Sequence, residues 1–260
     1  MATWAWDVPG YVQGHKFNQS KQCWDSATGR FKDQAGYDHL GNGCDVVVGT
    51  PAFSVHGTRS REGLLLDNAC HLKFRPSIPW EGTMLVVFKP TLVSAAVTQW
   101  HWLWGTSATE ASNGNVILAR ASGVNSMSYR TPSAQLSRQI TGLVSGTIAI
   151  AAFSTSQETR IAYSTQDGVT VSPSAAAAAT VHGNACGMAT SGVVAGGIGG
   201  VLSTHVRLGD IIGDGTVAPN ATDYMHIFEQ HFWKGNVLTG TALPQVANFI
   251  TSLKSYYGLA

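Results

Sequence analysis

The chain has 260 residues, of which 44% are hydrophobic, only 12% charged, and 29 are glycine; such a balance fits one globular domain with many turns and few solvated helices, hence an all-β chain. Its net charge is +1, and the 16 lysines and arginines are scattered without a run, so there is no electrostatic footprint for a phosphate backbone or an anionic bilayer, and neither nucleic acid nor membrane is an expected partner. No stretch of about 18 apolar residues occurs, which excludes a membrane-spanning helix.

In chain order, Met1 to Gly10 lacks a basic start, an apolar centre and a small-residue cleavage site, so synthesis in the cytoplasm without secretory export is expected. Residues 1–20 hold Trp4, Trp6, Tyr11 and Phe17 between Pro9, Gly10 and Gly14, a density of aromatic rings that a loose arm would not leave in water. This arm either folds back on its own domain, residues 21–260, or docks on another subunit or particle; both readings stand here. Asp25 to Gly49 is turn-rich, and Gly63 to Phe74 reads as strand. Met84-Leu-Val-Val-Phe88 is a strand buried on both faces by its continuous apolarity and stopped by Pro90.

Further strands are expected at Trp100–Trp104, Val116–Ala121, Ser126–Arg130, Thr147–Ser154 and Arg160–Thr165, a spacing suited to a sandwich. Ala175–Ala179, bracketed by Pro173 and Gly183, is too short to nucleate a helix and reads as a loop or edge strand. Gly192–Gly200 is a turn-rich bend. Val206–Gly209 and Met225–Trp233 are the last strands. A helix is expected over Pro244–Tyr257, where Val246, Phe249, Ile250, Leu253 and Tyr257 recur on one face, Pro244 suits the first turn and Gly258 the stop. Cys23, Cys44, Cys70 and Cys186 show no metal or redox spacing, leaving free thiols or one bridge open, with free thiols favoured.

The order of these pieces resembles the concanavalin A-like lectin/glucanase superfamily in its laminin-G-like form. The likeness rests on the turns around Trp24-Asp25-Ser26, the strands ending at Phe74 and spanning Thr83–Phe88 and Val144–Phe153, the strand end Arg207-Leu-Gly209, and Ile227-Phe-Glu229 before a short helix. It covers residues 20–257 and implies a two-sheet antiparallel jelly-roll sandwich with a short C-terminal helix. Members of this kind bind glycans, and some relatives cleave them. A copy without a signal peptide is similar to the glycan-binding domains on virions of tailed phages and gene transfer agents. That resemblance implies a head spike, fibre or tail adhesin on the virion surface, assembled in the bacterial cytoplasm, with Trp4, Trp6 and Tyr11 in the attachment arm to other virion proteins.

Glucanases of this fold need paired carboxylates in a Glu-x-Asp-x-x-Glu pattern, one as nucleophile and one as acid. Glu62, Glu81, Glu110, Glu158 and Glu229 are the only glutamates, and none has a carboxylate at i+2 or i+4. Lyases of this fold use Arg, Gln, His and Tyr on a concave sheet; Gln139-Ile-Thr141 and Ser128-Tyr-Arg130 supply fragments of that set without the histidine. No phosphate-binding loop, dinucleotide fingerprint, G-x-S-x-G or H-E-x-x-H occurs.

Strict alternation along Met225–Trp233 places Glu229, His231 and Trp233 on one open face and His226 on the other, so three metal ligands do not converge; Phe228 and Phe232 then face the core. An acid, an imidazole and an indole on an open sheet are what a sugar site uses, although a solvated face explains each singly. Alternation also puts Trp100, Trp102 and Trp104 on one face, either as core or as a stacking row, with at least one indole expected outside. Asp210, Asp214 and Asp223 lie where laminin-G-like domains often hold Ca²⁺, but their spacing matches no Ca²⁺ loop and Asp-Gly turns explain them; no cofactor is expected.

The resulting expectation is a non-catalytic carbohydrate-binding virion protein that recognises a surface polysaccharide through Trp102, Tyr129, Arg130, Glu229, His231 and Trp233, as a homo-oligomer, since weak sugar sites gain from many copies. A polysaccharide lyase or depolymerase on the same fold, and a decoration protein without ligand, are the alternatives.

Overall fold

A computed structural model describes residues 4–17, 24–25, 27–28, 30–31, 44–48, 50–56, 61–66, 71–79, 82–91, 99–105, 115–121, 124–130, 138–141, 144–155, 159–164, 169–171, 177–181, 184–190, 203–208 and 224–259. Its strands, in chain order, begin with β1 (Tyr11–Lys16), β2 (Trp24–Asp25), β3 (Arg30–Phe31), β4 (Cys44–Val48), β5 (Ala52–His56), β6 (Arg61–Leu66) and β7 (His71–Pro79). They continue with β8 (Gly82–Thr91), β9 (Gln99–Gly105), β10 (Asn115–Ala121), β11 (Val124–Arg130), β12 (Arg138–Thr141) and β13 (Ala149–Thr155). The last are β14 (Thr159–Ser164), β15 (Val169–Val171), β16 (Ala177–Val181), β17 (Asn184–Thr190), β18 (Ser203–Leu208) and β19 (Tyr224–Lys234), followed by the helix α1 (Leu243–Tyr257).

All pairings are antiparallel and form two sheets. The first runs β16-β17-β14-β13-β8-β19-β6-β5 with β1 also on β19, and the second β15-β12-β11-β10-β9-β18-β7-β4-β3-β2. The all-β sandwich with a C-terminal helix is thus the observed architecture. Among the described residues no helix is long and apolar enough to cross a membrane. Ala177 to Ala179 of the alanine tract lie in the edge strand β16.

β8 shows how composition sets the layers. Its run from Met84 to Phe88 is buried on both faces. Leu85 and Val87 join Ile150 and Ala152 of β13 in one apolar cluster with α1, so the alternate residues, Met84, Val86 and Phe88, face the opposite side. A strand covered on both faces must be apolar throughout. Pro90 does not stop β8, which runs on to Thr91. Pairing with β13 ends at Phe88, and beyond it the Pro90 carbonyl accepts the Gly146 N–H at 2.7 Å, so proline's missing donor costs the ladder little.

α1 follows the sequence pattern closely. Val246, Phe249, Ile250, Leu253 and Tyr257 are all buried, a proline lies in the first turn, and Gly258 N–H and Leu259 N–H close the last turn on Ser255 O and Lys254 O. A 15-residue helix is marginal alone, so burial of this stripe, about 1.5–3 kcal/mol per large side chain, holds it on the first sheet.

The N-terminal segment folds on its own domain rather than extending from it. Ala5 and Val8 are buried in the same cluster as α1, and Tyr11, Gln13, Gly14, His15 and Lys16 pair with β19 from Trp233 to Glu229. Gly10 makes the join: its φ is +84°, its carbonyl accepts the Lys234 N–H at 2.6 Å, and a Cβ there would sit 2.6 Å from the Lys234 carbonyl oxygen. Gly10→Ala is therefore expected to cost at least ~2 kcal/mol, left-handed strain plus a backbone clash. Gly235→Ala, at φ +80° with nothing within 4 Å, carries the strain alone and should cost about 1 kcal/mol. Equal midpoints for the two variants in urea unfolding would show that the clash is absent.

Candidate functional site

The polar residues singled out at the end of β19 do come together, but inside the molecule. A register shift sets Ile227 opposite Phe88 and Glu229 opposite Val87, so two residues two apart oppose consecutive residues of β8. Alternation is reset there. His226 is consequently not separated from Glu229 by simple parity, and Phe228 joins the cluster under α1. Among the described residues no group of three metal-ligating side chains forms.

From Glu229 onward the expected common face is present: Glu229, His231 and Trp233 all lie on the side of Leu85 and Val87. That face is not open. Glu229 and His231 are each 2% exposed and Trp233 is fully enclosed. The expectation of an open acid–imidazole–indole surface is therefore corrected, for a physical reason: α1 and the N-terminal turn need an apolar floor, and Trp233 supplies it. Phe249 stands edge-on to both His231, at 4.8 Å, and Trp233, at 6.1 Å. The indole N–H of Trp233, which a buried tryptophan must place, donates to Ala5 O at 3.0 Å.

Within this layer the polar atoms form a chain. Tyr257 O–H donates to Glu229 Oε1 at 2.7 Å, and Glu229 Oε2 lies 3.0 Å from His231 Nε2. His231 Nδ1 lies 3.4 Å from the Tyr11 hydroxyl; in the protonated ring both nitrogens donate, Nε2–H to the carboxylate and Nδ1–H to the Tyr11 oxygen. The order tyrosine–histidine–glutamate resembles a proton relay, yet helix residues cover it; the arrangement ties β1, β19 and α1 together.

Burial alone pushes the Glu229 carboxyl up, but the hydrogen bond of His231, the charges of Lys16 and His231, and the Tyr257 hydroxyl together hold it below the usual carboxylate range. His15, fully buried on β1, is pulled from 6.5 down to about 3 by burial and then by repulsion from His231. Both shifts have the same consequence. A depressed folded-state pKa contributes stability that is complete above the unfolded value and is lost as pH falls toward the folded one. Stability should thus decline from pH 6.5 toward about 3 through His15, with Glu229 adding its loss below 4.5. His15 supplies a slope of about 1.4 kcal/mol per pH unit. His15→Gln should remove that slope between pH 6 and 5, checked by urea titrations; an unchanged slope would mean that His15 is hydrated in the folded protein.

Trp102, Tyr129 and Arg130 lie on β9 and β11 of the second sheet, and their side chains are outside the described residues. Their backbone register brings them within two strands: Tyr129 opposes Val116, which opposes Trp104, while Ile117 opposes Trp102 and Ser128, and Asn115 opposes Arg130. A register shift between Val116 and Ile117 interrupts the alternation expected through Trp100, Trp102 and Trp104. Asp210, Asp214, Asp223, the bend at 192–200 and the four cysteine side chains also lie outside the described residues. Of the N-terminal rings, Tyr11 is half-buried against Trp233 at 5.9 Å, Trp6 is half-buried, and Trp4 is exposed.

Sequence reasoning missed His15, Lys16 and Tyr257 as members of this network. Tyr257 was legible as part of the apolar stripe; that its hydroxyl meets Glu229 depends on the helix docking.

Fold and covered layer together define a two-sheet antiparallel β-sandwich closed on one side by a helix. Solved structures are similar in fold. Domain 4 of a GH43 extracellular arabinanase from Geobacillus stearothermophilus, in complex with arabinotriose, is similar over 92% of this chain and 97% of that one, at 12% identity and a TM-score of 0.52. The binding domain of botulinum neurotoxin serotype D is similar over 94% of this chain and 53% of that one, at 7% identity and a TM-score of 0.56. A serotype D ligand-binding domain in complex with N-acetylneuraminic acid gives 94%, 52%, 7% and 0.52 in the same order. The chain spans about half the length of the toxin domains. No family model matches the sequence, and no curated protein does.

Proposed function

We propose that the protein is a non-catalytic carbohydrate-binding sandwich of the concanavalin A-like kind, holding its glycan on the second sheet. What carries this reading is the end-to-end likeness to a domain held with arabinotriose, 92% of this chain on 97% of that one. The covering of the first sheet supports that placement: α1 and the N-terminal turn occupy the face that Glu229, His231 and Trp233 share. Those three residues support the fold, and the proposal gives the sugar to Trp102 and Arg130, which the register sets at positions of one face of the second sheet, while Tyr129, next to Arg130 on β11, falls at the alternate position. Stacking on an aromatic ring with a guanidinium to fix hydroxyls is the chemistry such a set offers.

Weak sugar sites act through copy number, and the reading extends to an oligomeric adhesin on a phage-like particle. A glycan array including arabinotriose and N-acetylneuraminic acid tests the binding. Retention of the wild type, with affinity reduced about tenfold or more in Trp102→Ala and Arg130→Ala, is the expected result. Retention on no glycan would remove the function. Immunogold labelling of particles released by lysis tests the context separately, and unlabelled particles would remove it.

A further inference from the structure

Trp4 is 48% exposed, the bulkiest of the large apolar side chains left open among the described residues. Its ring is parallel to that of Trp6, with centroids 5.1 Å apart and 2° between planes. The Lys16 ammonium stands 5.3 Å from the centre of the Trp4 ring. The backbone that carries the two indoles is also tied down. Trp4 N–H donates to Asp7 Oδ2 at 3.1 Å, Asp7 N–H donates back to Trp4 O at 3.0 Å, and the intervening Ala5 is buried with its carbonyl on the Trp233 indole. A surface ordered in advance loses little entropy when something binds it.

Its size selects the occupant. Half of an indole side chain is on the order of 100 Å², the area of one sugar ring and far below the roughly 800 Å² per partner of a stable protein interface. Its charge selects further, because the Asp7 carboxylate is engaged by the Trp4 backbone while Lys16 brings a cation to the ring. From these observations we infer that Trp4, Trp6 and Lys16 form a second carbohydrate subsite, which takes a pyranose ring bearing a carboxylate. The apolar C–H face of the sugar lies on the indole, and the carboxylate pairs with Lys16. This subsite rests on the carbohydrate-binding reading but lies at the edge of the first sheet, on a different layer from Trp102 and Tyr129.

Affinity electrophoresis in gels containing polygalacturonate or neutral arabinan tests it with the full chain, alongside the same glycan array. The wild type is expected to be retarded by polygalacturonate, about tenfold or more weakly in Trp4→Ala. Lys16→Met should abolish the preference for polygalacturonate over arabinan. Melting of Trp4→Ala should stay close to wild type, which separates a lost contact from a lost fold. Unchanged polygalacturonate retardation in Trp4→Ala, an acid preference that survives Lys16→Met, or a wild type that binds only neutral glycans would each overturn the subsite. In those cases array binding that still depends on Trp102 and Arg130 keeps the main reading intact. A wild type that binds no glycan at all removes both. Loss of particle attachment in Trp4→Ala with glycan binding unaltered would make this a protein-docking surface instead.

Discussion

Trp233→Ala is expected to lower stability by about 3–5 kcal/mol, the range for emptying a large aromatic site in a packed core. The indole is fully enclosed, touches Tyr11 and Phe249, and spends its N–H on Ala5 O. Its removal leaves α1 and the N-terminal turn without their shared floor, so both should loosen together. Guanidinium unfolding of the variant against Trp233→Phe reads this out. Phenylalanine restores most of the volume but not the hydrogen bond, and should recover more than half of the loss. A cost below ~1 kcal/mol, accompanied by weaker glycan binding, would return Trp233 to an open face and overturn its assignment to the core.

Glu229→Ala is expected to cost about 3–5 kcal/mol at pH 7, because it removes the carboxylate that His231 and the Tyr257 hydroxyl share in an enclosed layer. Tyr257→Phe should cost about 1.5–3 kcal/mol in the wild type, where the acceptor is a carboxylate, and nothing or less when Glu229 is already alanine, since the acceptor is gone. The pH dependence provides an independent check. The Glu229 carboxyl is held below its ordinary range, so its contribution is complete above the unfolded pKa and is lost as pH falls through the folded one. The gap between wild type and Glu229→Ala should therefore narrow as the buffer is taken from pH 7 toward 3. A gap that stays constant over that range would mean that packing rather than the ion pair sets the cost. Both variants should bind glycans as the wild type does wherever they remain folded, because neither residue reaches the proposed sugar-contacting set.

These two residues show where one-dimensional periodicity stops. Residues two apart share a face only while the ladder is regular. The shift between Ile227 and Glu229 resets parity within β19, and the one between Val116 and Ile117 does so along the tryptophan row of β9. Neither shift leaves a glycine or proline at its position to announce it.

Local chemistry alone determined some of the elements. The five-residue apolar stripe with proline before and glycine after specifies α1, the unbroken run from Met84 to Phe88 specifies a strand covered on both faces, and the alanine tract is confined to an edge. Those are properties of a few neighbouring side chains. Which face is open is not. Glu229, His231 and Trp233 have the composition of a sugar site and also of a hydrogen-bonded core, and only the docking of α1 and residues 4–10 against β19 decided between them. The physical reason is distance along the chain: Tyr257 meets Glu229 across 28 residues and Trp233 meets Ala5 across 228. Burial is decided by such contacts, which no local pattern encodes.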